Sequence, residues 1–364
     1  MKKQETLKEF LTRTDLQGRI DELAEKYKNK TIMLYGAGKV LDIILRGYYD
    51  LSKLNIIGIT DKKLPTGYIF KGYNTYDFSS VIEAKPDVIL ITMLKAEEVI
   101  KNNPINSDFQ YETFIKNSDG LDNVDIVREP LALYKTEYNG RYLATFANCD
   151  FLADPLFKKS YELCMKSTRY GIDFTLHWNI YFYVCFAKQA LSYEGDFVEC
   201  GVCTGGGAKA TINYLDFKKQ KGRKYWLFDT YKGLDIDSCH PLECEFAKFK
   251  NEKCYNIDRY EEICQTFSGY DFVKIVRGNV IDTLEQFSGD KVAFLSIDMN
   301  CLAPEIKAIN YFWDKVVKGG IILLDDYGWP DYLLQKLGME DFARKVGAQI
   351  ISLPTGQGLI IKPY

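Results

Sequence analysis

The feature of this sequence that most constrains its fold is an alternation of short apolar runs with helical patterns. In the first half, TIMLYGAGKVLDIILRGYYD places an apolar run, a glycine pair and a helical pattern in succession. The strand-like segments NIIGIT and PDVILITML follow, and the polar helical segment KAEEVIKN comes directly after the second. Strands that alternate with helices form parallel sheets, since a parallel connection needs a crossover segment. The first half therefore predicts a small doubly wound α/β domain.

The second half repeats this alternation on a larger scale. Helices are predicted over 304–317, ended by the pair Gly319-Gly320, and over about 332–346. The final segments AQIISLP and GLIIKP are separated only by Thr355-Gly356-Gln357-Gly358, and so short a connection forces an antiparallel hairpin. We therefore predict a second doubly wound, Rossmann-like domain that ends in a β-hairpin. Its five earlier strand-like segments are GDFVECGV, KYWLFDT, DFVKIVRGN, KVAFLSIDMN and GIILLDDYG.

Length sets the number of domains. The 364 residues suffice for about two domains of roughly 150 residues each. We predict a Rossmann-like domain over residues 1–120, a connector over 121–165 and the second α/β domain over 166–364. An amphipathic helix is expected at about 5–28, and a helical layer over 155–192.

Composition and charge argue against several classes of protein. The 47 Lys and Arg against 50 Asp and Glu give a net charge of −3, which disfavours a broad nucleic-acid-binding face. No apolar run approaches the roughly 20 residues that span a bilayer, and the polar start MKKQETLKEFLTRTDL has no apolar signal core. The ten scattered cysteines then indicate reduced thiols. We expect a cytoplasmic protein that neither binds nucleic acid nor spans a membrane.

A glycine-rich loop after the first strand of the second half is the first candidate site. An acid that ends a strand, followed by glycines two and six residues later, gives the pattern E-x-G-x-x-x-G. Glycines let a backbone turn tightly and approach a ligand closely. A glycine-rich strand-to-helix turn without a ligand remains the alternative. The loop reads Glu199-Cys200-Gly201-Val202-Cys203-Thr204-Gly205.

Asp229 ends the next strand, 28 residues after Gly201. In dinucleotide-binding folds, an acid at the end of the second strand binds ribose hydroxyls. An aspartate in this place also serves as a helix N-cap, which is the alternative interpretation.

Three further acids end the later strands. Asp298 follows KVAFLSI, and Asp325 and Asp326 follow GIILL. Because ligands of open parallel sheets lie beyond the carboxyl ends of the strands, we expect the three side chains to meet in one crevice. Three close carboxylates need a compensating cation, and Mg²⁺ prefers such oxygen ligands. Helix capping by one acid and solvation of the others is the alternative.

Together, GDFVECGV with its following glycines, LFDTYKGL, SIDMN and GGIILLDDYG resemble the macrocin O-methyltransferase (TylF/MycF) family over about residues 165–364. The resemblance implies a class I methyltransferase fold, S-adenosylmethionine (SAM) as methyl donor, Mg²⁺, and a sugar or nucleotide-sugar hydroxyl as acceptor. It implies that Asp298, Asp325 and Asp326 bind the metal, with Asp298 also catalytic. With the apolar helices of 155–192, it makes a homodimer the expected assembly. The implied cofactor-binding residues are Glu199, Gly201, Cys203, Thr204, Gly205, Asp229 and Asn279.

This chain departs from the family where Asp298-Met299-Asn300 carries a neutral amide in place of a second acid. No family motif places the general base. His240, on the loop after the second strand of this half, is the better candidate among the two histidines, since an imidazole titrates near neutrality. An ordinary surface histidine is the alternative for His240, and His177 is expected to be a hydrogen-bonded packing residue or a wall of the cofactor pocket.

A zinc site is the alternative interpretation of the segment around His240. It would use some of Cys239, His240, Cys244, Cys254 and Cys264, although their spacings match no standard ligand pattern.

The N-terminal glycine loop is half of a dinucleotide-binding fingerprint. Gly36 and Gly38 follow a strand, Asp61 lies 25 residues after Gly36, and Leu41 stands where the third glycine belongs. The domain is expected to bind a nucleotide or nucleotide-sugar through Gly36, Gly38 and Asp61. A scaffold or dimerisation domain without a ligand is the alternative.

The leading functional hypothesis is an SAM-dependent, Mg²⁺-assisted O-methyltransferase acting on a sugar or a nucleotide- or carrier-linked sugar. Two alternatives remain open. One is a non-catalytic, cofactor-binding partner subunit; the other is a nicotinamide-dependent sugar oxidoreductase that uses the N-terminal domain.

Overall fold

The computed structural model describes residues 5–363 except 103–104, 106–107, 117–123, 126–135, 142, 168–172 and 256. It divides into two compact units. The first comprises Met1–Asn139 and Ala144–Ala153, and the second comprises Gly140–Leu143 and Asp154–Tyr364. Of the predicted connector over 121–165, residues 121–123, 126–135 and 142 lie outside the described residues.

The first unit contains a six-stranded sheet in the order β4-β5-β3-β2-β6-β7, parallel except for β4. A short parallel pair, β1 with β8, lies apart from it. The strands are β1 (Glu5–Thr6), β2 (Ile32–Tyr35), β3 (Ile56–Thr60), β4 (Ile69–Phe70), β5 (Tyr73–Tyr76), β6 (Val88–Ile91), β7 (Gln110–Thr113) and β8 (Val124–Asp125). The helices are α1 (Leu7–Arg13), α2 (Leu16–Lys26), α3 (Lys39–Ile43), α4 (Phe78–Ala84) and α5 (Ala96–Asn102), with a π-helical turn over Ile44–Tyr48.

Helices cover both faces of this sheet. Leu34 of β2 packs in one buried cluster with Ile20 of α2, whereas its neighbour Met33 packs in another with Val81 of α4. Successive side chains of a strand point to opposite faces, so a strand covered on both sides is apolar throughout, as β2 is.

The expected continuous helix at about 5–28 is wrong, because two helices occupy this segment. Asp15 separates them with a left-handed backbone (φ 47°), and its side chain accepts a hydrogen bond from the Gly18 amide as the N-cap of α2. Asp is among the residues that tolerate this conformation and cap helices well, so the break follows from Asp15 itself.

The second unit contains a seven-stranded sheet in the order β13-β12-β11-β14-β15-β17-β16. A separate pair, β9 (Tyr138–Gly140) with β10 (Leu143–Thr145), precedes it in the chain. The strands are β11 (Asp196–Cys200), β12 (Tyr225–Asp229), β13 (Val273–Arg277), β14 (Val292–Ile297), β15 (Val316–Leu324), β16 (Ile351–Ser352) and β17 (Gly358–Ile361). The helices are α6 (Pro155–Lys166), α7 (His177–Ala190), α8 (Gly206–Tyr214), α9 (Cys244–Lys253), α10 (Tyr260–Phe267), α11 (Val280–Thr283), α12 (Leu302–Trp313) and α13 (Leu333–Val346), with 3₁₀ turns over Phe217–Lys219, Ile236–Ser238, Leu284–Gln286 and Pro330–Tyr332. A further 3₁₀ turn, over Asp150–Ala153, belongs to the first unit.

The first five strands of this sheet are parallel, and β17 pairs antiparallel with both β15 and β16. Phe197 of β11 packs with Ala187 of α7, while its neighbour Val198 packs in a cluster with Phe312 of α12. The predicted doubly wound α/β class with a terminal hairpin is confirmed. Among the described residues, no helix has the length and apolarity needed to cross a membrane.

The glycine pair 319–320 does not end a helix, as expected from the sequence, but lies inside β15. Helix α12 ends at Trp313, and the pairing of β15 with β14 shifts between Val316 and Ile321. Gly319 has φ 79° in this irregular stretch. The extra residues form a bulge, which is where glycine is favoured within a strand.

Candidate functional site

A cleft opens at the carboxyl ends of the parallel strands of the second unit, as expected for an open α/β sheet. It is lined by residues that follow β11, β12, β13 and β14, and by the loop around Tyr255. Five predicted site residues line it: Gly201, Cys203, Asp229, Asn279 and Asp298.

The backbone approaches most closely at Gly201. Its φ is 93°, and a Cβ built on it would lie 1.8 Å from the Asp298 carbonyl oxygen. Packing of the loop against the end of β14 therefore requires glycine here, whether or not a ligand also approaches this backbone. Gly205 (φ 74°) precedes α8, and its Cβ would contact Phe267. Neither Gly205 nor the buried Thr204 lines the cleft.

Asp229 fastens the glycine loop to the end of β12. Its Oδ2 accepts hydrogen bonds from the amides of Val202 (2.6 Å) and Cys203 (2.8 Å), and its Oδ1 accepts from the amide of Tyr231 (2.7 Å). Charge-assisted bonds to backbone amides are strong. Asp229 thus shapes the loop while its carboxylate remains on the cleft wall.

Glu199 points away from the cleft. It is buried, and its Oε2 accepts a hydrogen bond from the Tyr225 hydroxyl (3.3 Å). Burial raises the pKa of Glu199 to about 8, although the neighbouring hydroxyls of Tyr183 and Tyr225 oppose the shift. The carboxyl group is therefore largely protonated at neutral pH. Contact of Glu199 with a cofactor stays a prediction.

Asn279 follows β13 and caps α11. Its Oδ1 accepts a hydrogen bond from the Ile281 amide (2.9 Å), and its Nδ2 donates to Asp235 (2.5 Å) and Ser238 (3.2 Å). Asp235 and Ser238 also line the cleft. Asn279 therefore holds the loop after β12 across the cleft.

Asp298, Asp325 and Asp326 meet as predicted. One carboxylate oxygen of each lies within 4.8 Å of the others. Burial raises the pKa of all three, and in Asp298 and Asp326 the carboxylate of Asp325 adds to the rise. The positive charges of Lys250 and Arg141 oppose these shifts only in part.

The amide of Asn300 joins this acidic cluster. Its Nδ2 donates to Asp298 Oδ1 (2.7 Å) and to Asp326 Oδ2 (2.8 Å). Its Oδ1 accepts from the hydroxyls of Tyr255 (3.1 Å) and Tyr332 (3.2 Å). An amide thus partly compensates the negative charge that the sequence predicted for this edge.

Gln357, from the turn of the terminal hairpin, orients the third acid. Its Nε2 donates to Asp325 Oδ1 (2.9 Å), and its Oε1 accepts from the Thr355 hydroxyl (2.9 Å). Both polar side chains are buried. The hairpin therefore supplies a functional part of the cluster as well as closing the sheet.

The donor set fits Mg²⁺. Three carboxylates within reach of one ion provide hard oxygen ligands, and their raised pKa values show that their negative charges are incompletely compensated by the protein. Asn300 is the departure from a fully acidic set, because it presents its N–H groups to two of the acids.

His240 lies in a neighbouring groove rather than in the cleft. The groove is also lined by Leu302, Phe342 and Lys345, and His240 Nδ1 accepts a hydrogen bond from the Leu242 amide (3.3 Å). The role of His240 as general base stays a prediction. His177, expected to be a packing residue, stacks on Tyr161 with ring centroids 4.0 Å apart.

The cysteines around His240 are not drawn together as a metal centre among the described residues, where the three aspartates form the group with metal-binding geometry. Cys239 instead lies beside Cys301, with the two sulfur atoms 3.1 Å apart. The structure therefore lends no support to the zinc alternative.

The N-terminal loop repeats the arrangement around Asp229. Asp61 Oδ2 accepts a hydrogen bond from the Ala37 amide (2.9 Å), and its Oδ1 accepts from the Lys63 amide (3.0 Å). A Cβ on Gly36 (φ 115°) would lie 2.6 Å from the Met93 side chain, whereas Gly38 has open space around it. Nucleotide binding by this loop stays a prediction.

Sequence reasoning missed Tyr255, Tyr332 and Gln357. Tyr255 lies in a loop without a periodic pattern, and Tyr332 ends the 3₁₀ turn that precedes α13, so no signal in the sequence pointed to a role for either side chain. For Gln357 the predicted terminal hairpin was a partial signal. In the observed β15–β17 pairing, Leu324 lies opposite Gly358, and this register places Asp325 near Gln357. The hairpin was predicted, but its register was not.

Comparison with known proteins gives one family. The profile of the macrocin-O-methyltransferase (TylF) family matches residues 187–352. No curated protein matches the chain.

Three similar solved structures are methyltransferases. The O-methyltransferase NovP is 19% identical (51% of this chain, 80% of NovP, TM-score 0.46), and the calicheamicin methyltransferase CalS11 is 17% identical (57% of this chain, 93% of CalS11, TM-score 0.41). The SAH-bound Podospora anserina methyltransferase PaMTH1 is 13% identical (58% of this chain, 89% of PaMTH1, TM-score 0.35). Because these identities and TM-scores are low, the function of this chain has to be argued from the family match and from the residues of the cleft. The resemblance that the motifs indicate is confirmed by the match of residues 187–352 to the macrocin-O-methyltransferase (TylF) family profile.

Proposed function

We propose that this chain transfers the methyl group of SAM to a hydroxyl of a sugar or a sugar-containing acceptor, assisted by Mg²⁺. The observation that carries the proposal is one cleft, inside the matched segment, that is lined by Gly201 of the glycine loop, by Asp229 and by Asp298. The proposed donor site and the proposed proton acceptor therefore share one cleft.

The donor end of the cleft is built from Gly201, Asp229 and Asn279. Gly201 keeps the backbone open, Asp229 fixes the amides of the loop, and Asn279 fastens the opposite loop through Asp235. When bound, SAM supplies a methyl group already activated on a positively charged sulfur. The protein then has to align the two reactants and remove a proton.

We assign proton removal to Asp298, because it lines the cleft whereas His240 does not. Burial and the neighbouring carboxylates raise the pKa of Asp298 in the cluster without a cation; with Mg²⁺ bound, its place on the cleft wall is what makes it the candidate base. Asp298, Asp325 and Asp326 would hold Mg²⁺, which when bound polarises an acceptor hydroxyl and lowers its pKa. Gln357 and Asn300 keep the acids oriented.

The acceptor remains a class rather than a compound. A sugar hydroxyl is the acceptor that the resemblance of this chain to the macrocin O-methyltransferase family implies, and residues 187–352 match that family's profile. We include a nucleotide-linked sugar because the loop with Gly36, Gly38 and Asp61 is half of a dinucleotide fingerprint. A homodimer in the cytoplasm is the expected form of the enzyme.

The first experiment is a calorimetric titration of the full chain with SAM, with and without Mg²⁺. Binding at one site per chain is expected, and absence of binding would refute the methyltransferase proposal. Asp326→Asn should keep SAM binding and lose most turnover in a screen of sugar and nucleotide-sugar acceptors. Asp341→Asn, on the exposed side of α13, is the matched control. SAM binding without turnover of any acceptor would favour the partner-subunit alternative.

A further inference from the structure

The carboxamide of Asn300 is completely hydrogen-bonded in this structure. Its two N–H groups donate to Asp298 and Asp326, and its oxygen accepts from Tyr255 and Tyr332. Asn300 is buried and its backbone is left-handed, with φ 56°. Asn adopts that conformation more readily than most residues, so the loop holds the amide in place without strain.

This orientation opposes a cation at the cluster. The Asn300 nitrogen lies within 2.8 Å of one oxygen each of Asp298 and Asp326. A divalent ion shared by those two oxygens would face the partially positive amide hydrogens at close range. The ion would therefore be repelled by the same group that stabilises the cluster without it.

The opposite orientation satisfies every group equally well. If the amide turns by 180°, Asn300 Oδ1 faces the aspartates, where an amide carbonyl is a suitable ligand for a hard cation. Its Nδ2 then faces Tyr255 and Tyr332, whose hydroxyls can accept as readily as they donate. Only the hydroxyl hydrogens have to rotate.

The geometry points to Asn300 as a two-position residue whose amide reverses when a divalent cation enters the aspartate cluster, with Tyr255 and Tyr332 as the positioning residues that make the reversal possible. This inference rests on the proposed function only in taking the cluster as a Mg²⁺ site. It gives Asn300, together with the two tyrosines, a role in cation entry that goes beyond orienting the acids.

The tyrosine hydroxyls give the test. In Tyr255→Phe/Tyr332→Phe, the present orientation leaves one carbonyl oxygen without donors, whereas the reversed orientation leaves two N–H groups without acceptors. Buried N–H groups without a partner are the rarer and more costly case. Mg²⁺ affinity, measured by calorimetry without SAM or acceptor, should therefore fall by about fivefold to tenfold, corresponding to roughly one hydrogen bond.

The background variant Asn300→Asp isolates the reversal. A carboxylate presents oxygen in both positions, and Asp also tolerates the left-handed backbone. Removing the two hydroxyls in this background should change Mg²⁺ affinity by less than about twofold, because no amide remains to be reversed. A change of that size is no larger than the usual deviation from additivity between substitutions. Tyr327→Phe is the control, since Tyr327 adjoins Asp326 in sequence but its hydroxyl donates to Glu340 (3.1 Å).

Equal effects of the hydroxyl loss in the two backgrounds would overturn the inference, because an electrostatic effect on the acids does not depend on an amide. Absence of Mg²⁺ binding by the unmodified chain would overturn it as well. A SAM titration of the same samples separates these results from the proposed function: SAM binding that persists leaves the methyltransferase proposal standing, whichever way the Mg²⁺ result falls.

Discussion

At the residue scale, Asp229 shows how one carboxylate serves loop structure and ligand binding together. The sequence predicted a ribose contact or a helix cap. The structure shows its two oxygens accepting three backbone amide hydrogen bonds, two of them from the glycine loop. Such bonds use only part of the lone pairs of a carboxylate, so the predicted ligand contact is compatible with the structural role.

Asp229→Ala is therefore expected to affect SAM binding and folding together. Each bond to a charged acceptor is worth about 1.5–3 kcal/mol, so SAM affinity should fall at least about tenfold. Calorimetry gives the affinity, and thermal unfolding should show a lower Tm. Asp341→Ala is the comparison, because Asp341 lies on α13 outside this cleft and pairs with Lys345. Unchanged SAM affinity in Asp229→Ala would remove Asp229 from the donor site.

The choice of base is also decided by single residues. His240→Ala should keep turnover within about threefold, because its groove lies outside the cleft, whereas Asp298→Asn should lose on the order of a hundredfold or more. Initial rates of methyl transfer with saturating SAM measure both. A large loss in His240→Ala, with normal Mg²⁺ and SAM binding, would return the role to the histidine.

Residue-level prediction worked where a local pattern places a side chain at a strand end. Asp298, Asp325 and Asp326 were found in this way, because the carboxyl ends of parallel strands meet at one edge of the sheet. Gln357, Tyr255 and Tyr332 depend on hairpin register and loop conformation, which neighbouring residues in the sequence do not determine. Glu199 shows a further limit, since a strand-end motif does not say which face its acid will occupy.

At the scale of elements, two segments were assigned wrongly from the sequence, one at a pair of glycines and the other at an aspartate. The pair at 319–320 has the composition of a helix end, yet it forms a bulge in β15. When the partner strand is unknown, a glycine pair in a bulge cannot be distinguished from a glycine pair that ends a helix, because both use left-handed backbone. The break at Asp15 is likewise a cap that the periodicity of α1 and α2 concealed.

Gly201→Ala tests the contact between the glycine loop and β14. The added Cβ would lie 1.8 Å from the Asp298 carbonyl oxygen, so the backbone has to move. We expect the free energy of unfolding to fall by about 3 kcal/mol or more, from left-handed strain together with overpacking. Urea unfolding measures this loss. Gly222→Ala is the matched control: its φ is 82°, but nothing lies near its Cβ, so about 1–2 kcal/mol of strain is expected alone. Equal losses of unfolding free energy in the two variants would show that the glycine loop moves away from Asp298 at little cost.

At the scale of the whole molecule, two groups of acids make stability depend on pH in opposite directions. Exposed acids such as Asp87, whose pKa is lowered to about 2 by hydrogen bonds from Thr31 and Lys30, stabilise the fold above their unfolded pKa and lose that contribution as pH falls. Burial raises the pKa of Glu199 and Glu305 to about 8. These two are protonated in the folded chain but ionised in the unfolded chain at neutral pH, so they reduce stability as pH rises.

Stability should therefore be greatest near pH 4, where the exposed acids are still ionised in the folded chain and the buried ones are largely protonated in both states. Between pH 4 and 8 the Tm should fall as the unfolded chain releases protons that the folded chain keeps. Glu199→Gln should flatten this decline, since an amide copies the protonated acid: its Tm should match that of the unmodified chain near pH 4 and exceed it near pH 8. Glu194→Gln is the control, because Glu194 is exposed and paired with Lys291. A Tm that rises from pH 5 to pH 8 in the unmodified chain, or an equal slope in Glu199→Gln, would show that Glu199 is ionised in the fold, and its place beneath the glycine loop would then need a buried cation to balance it.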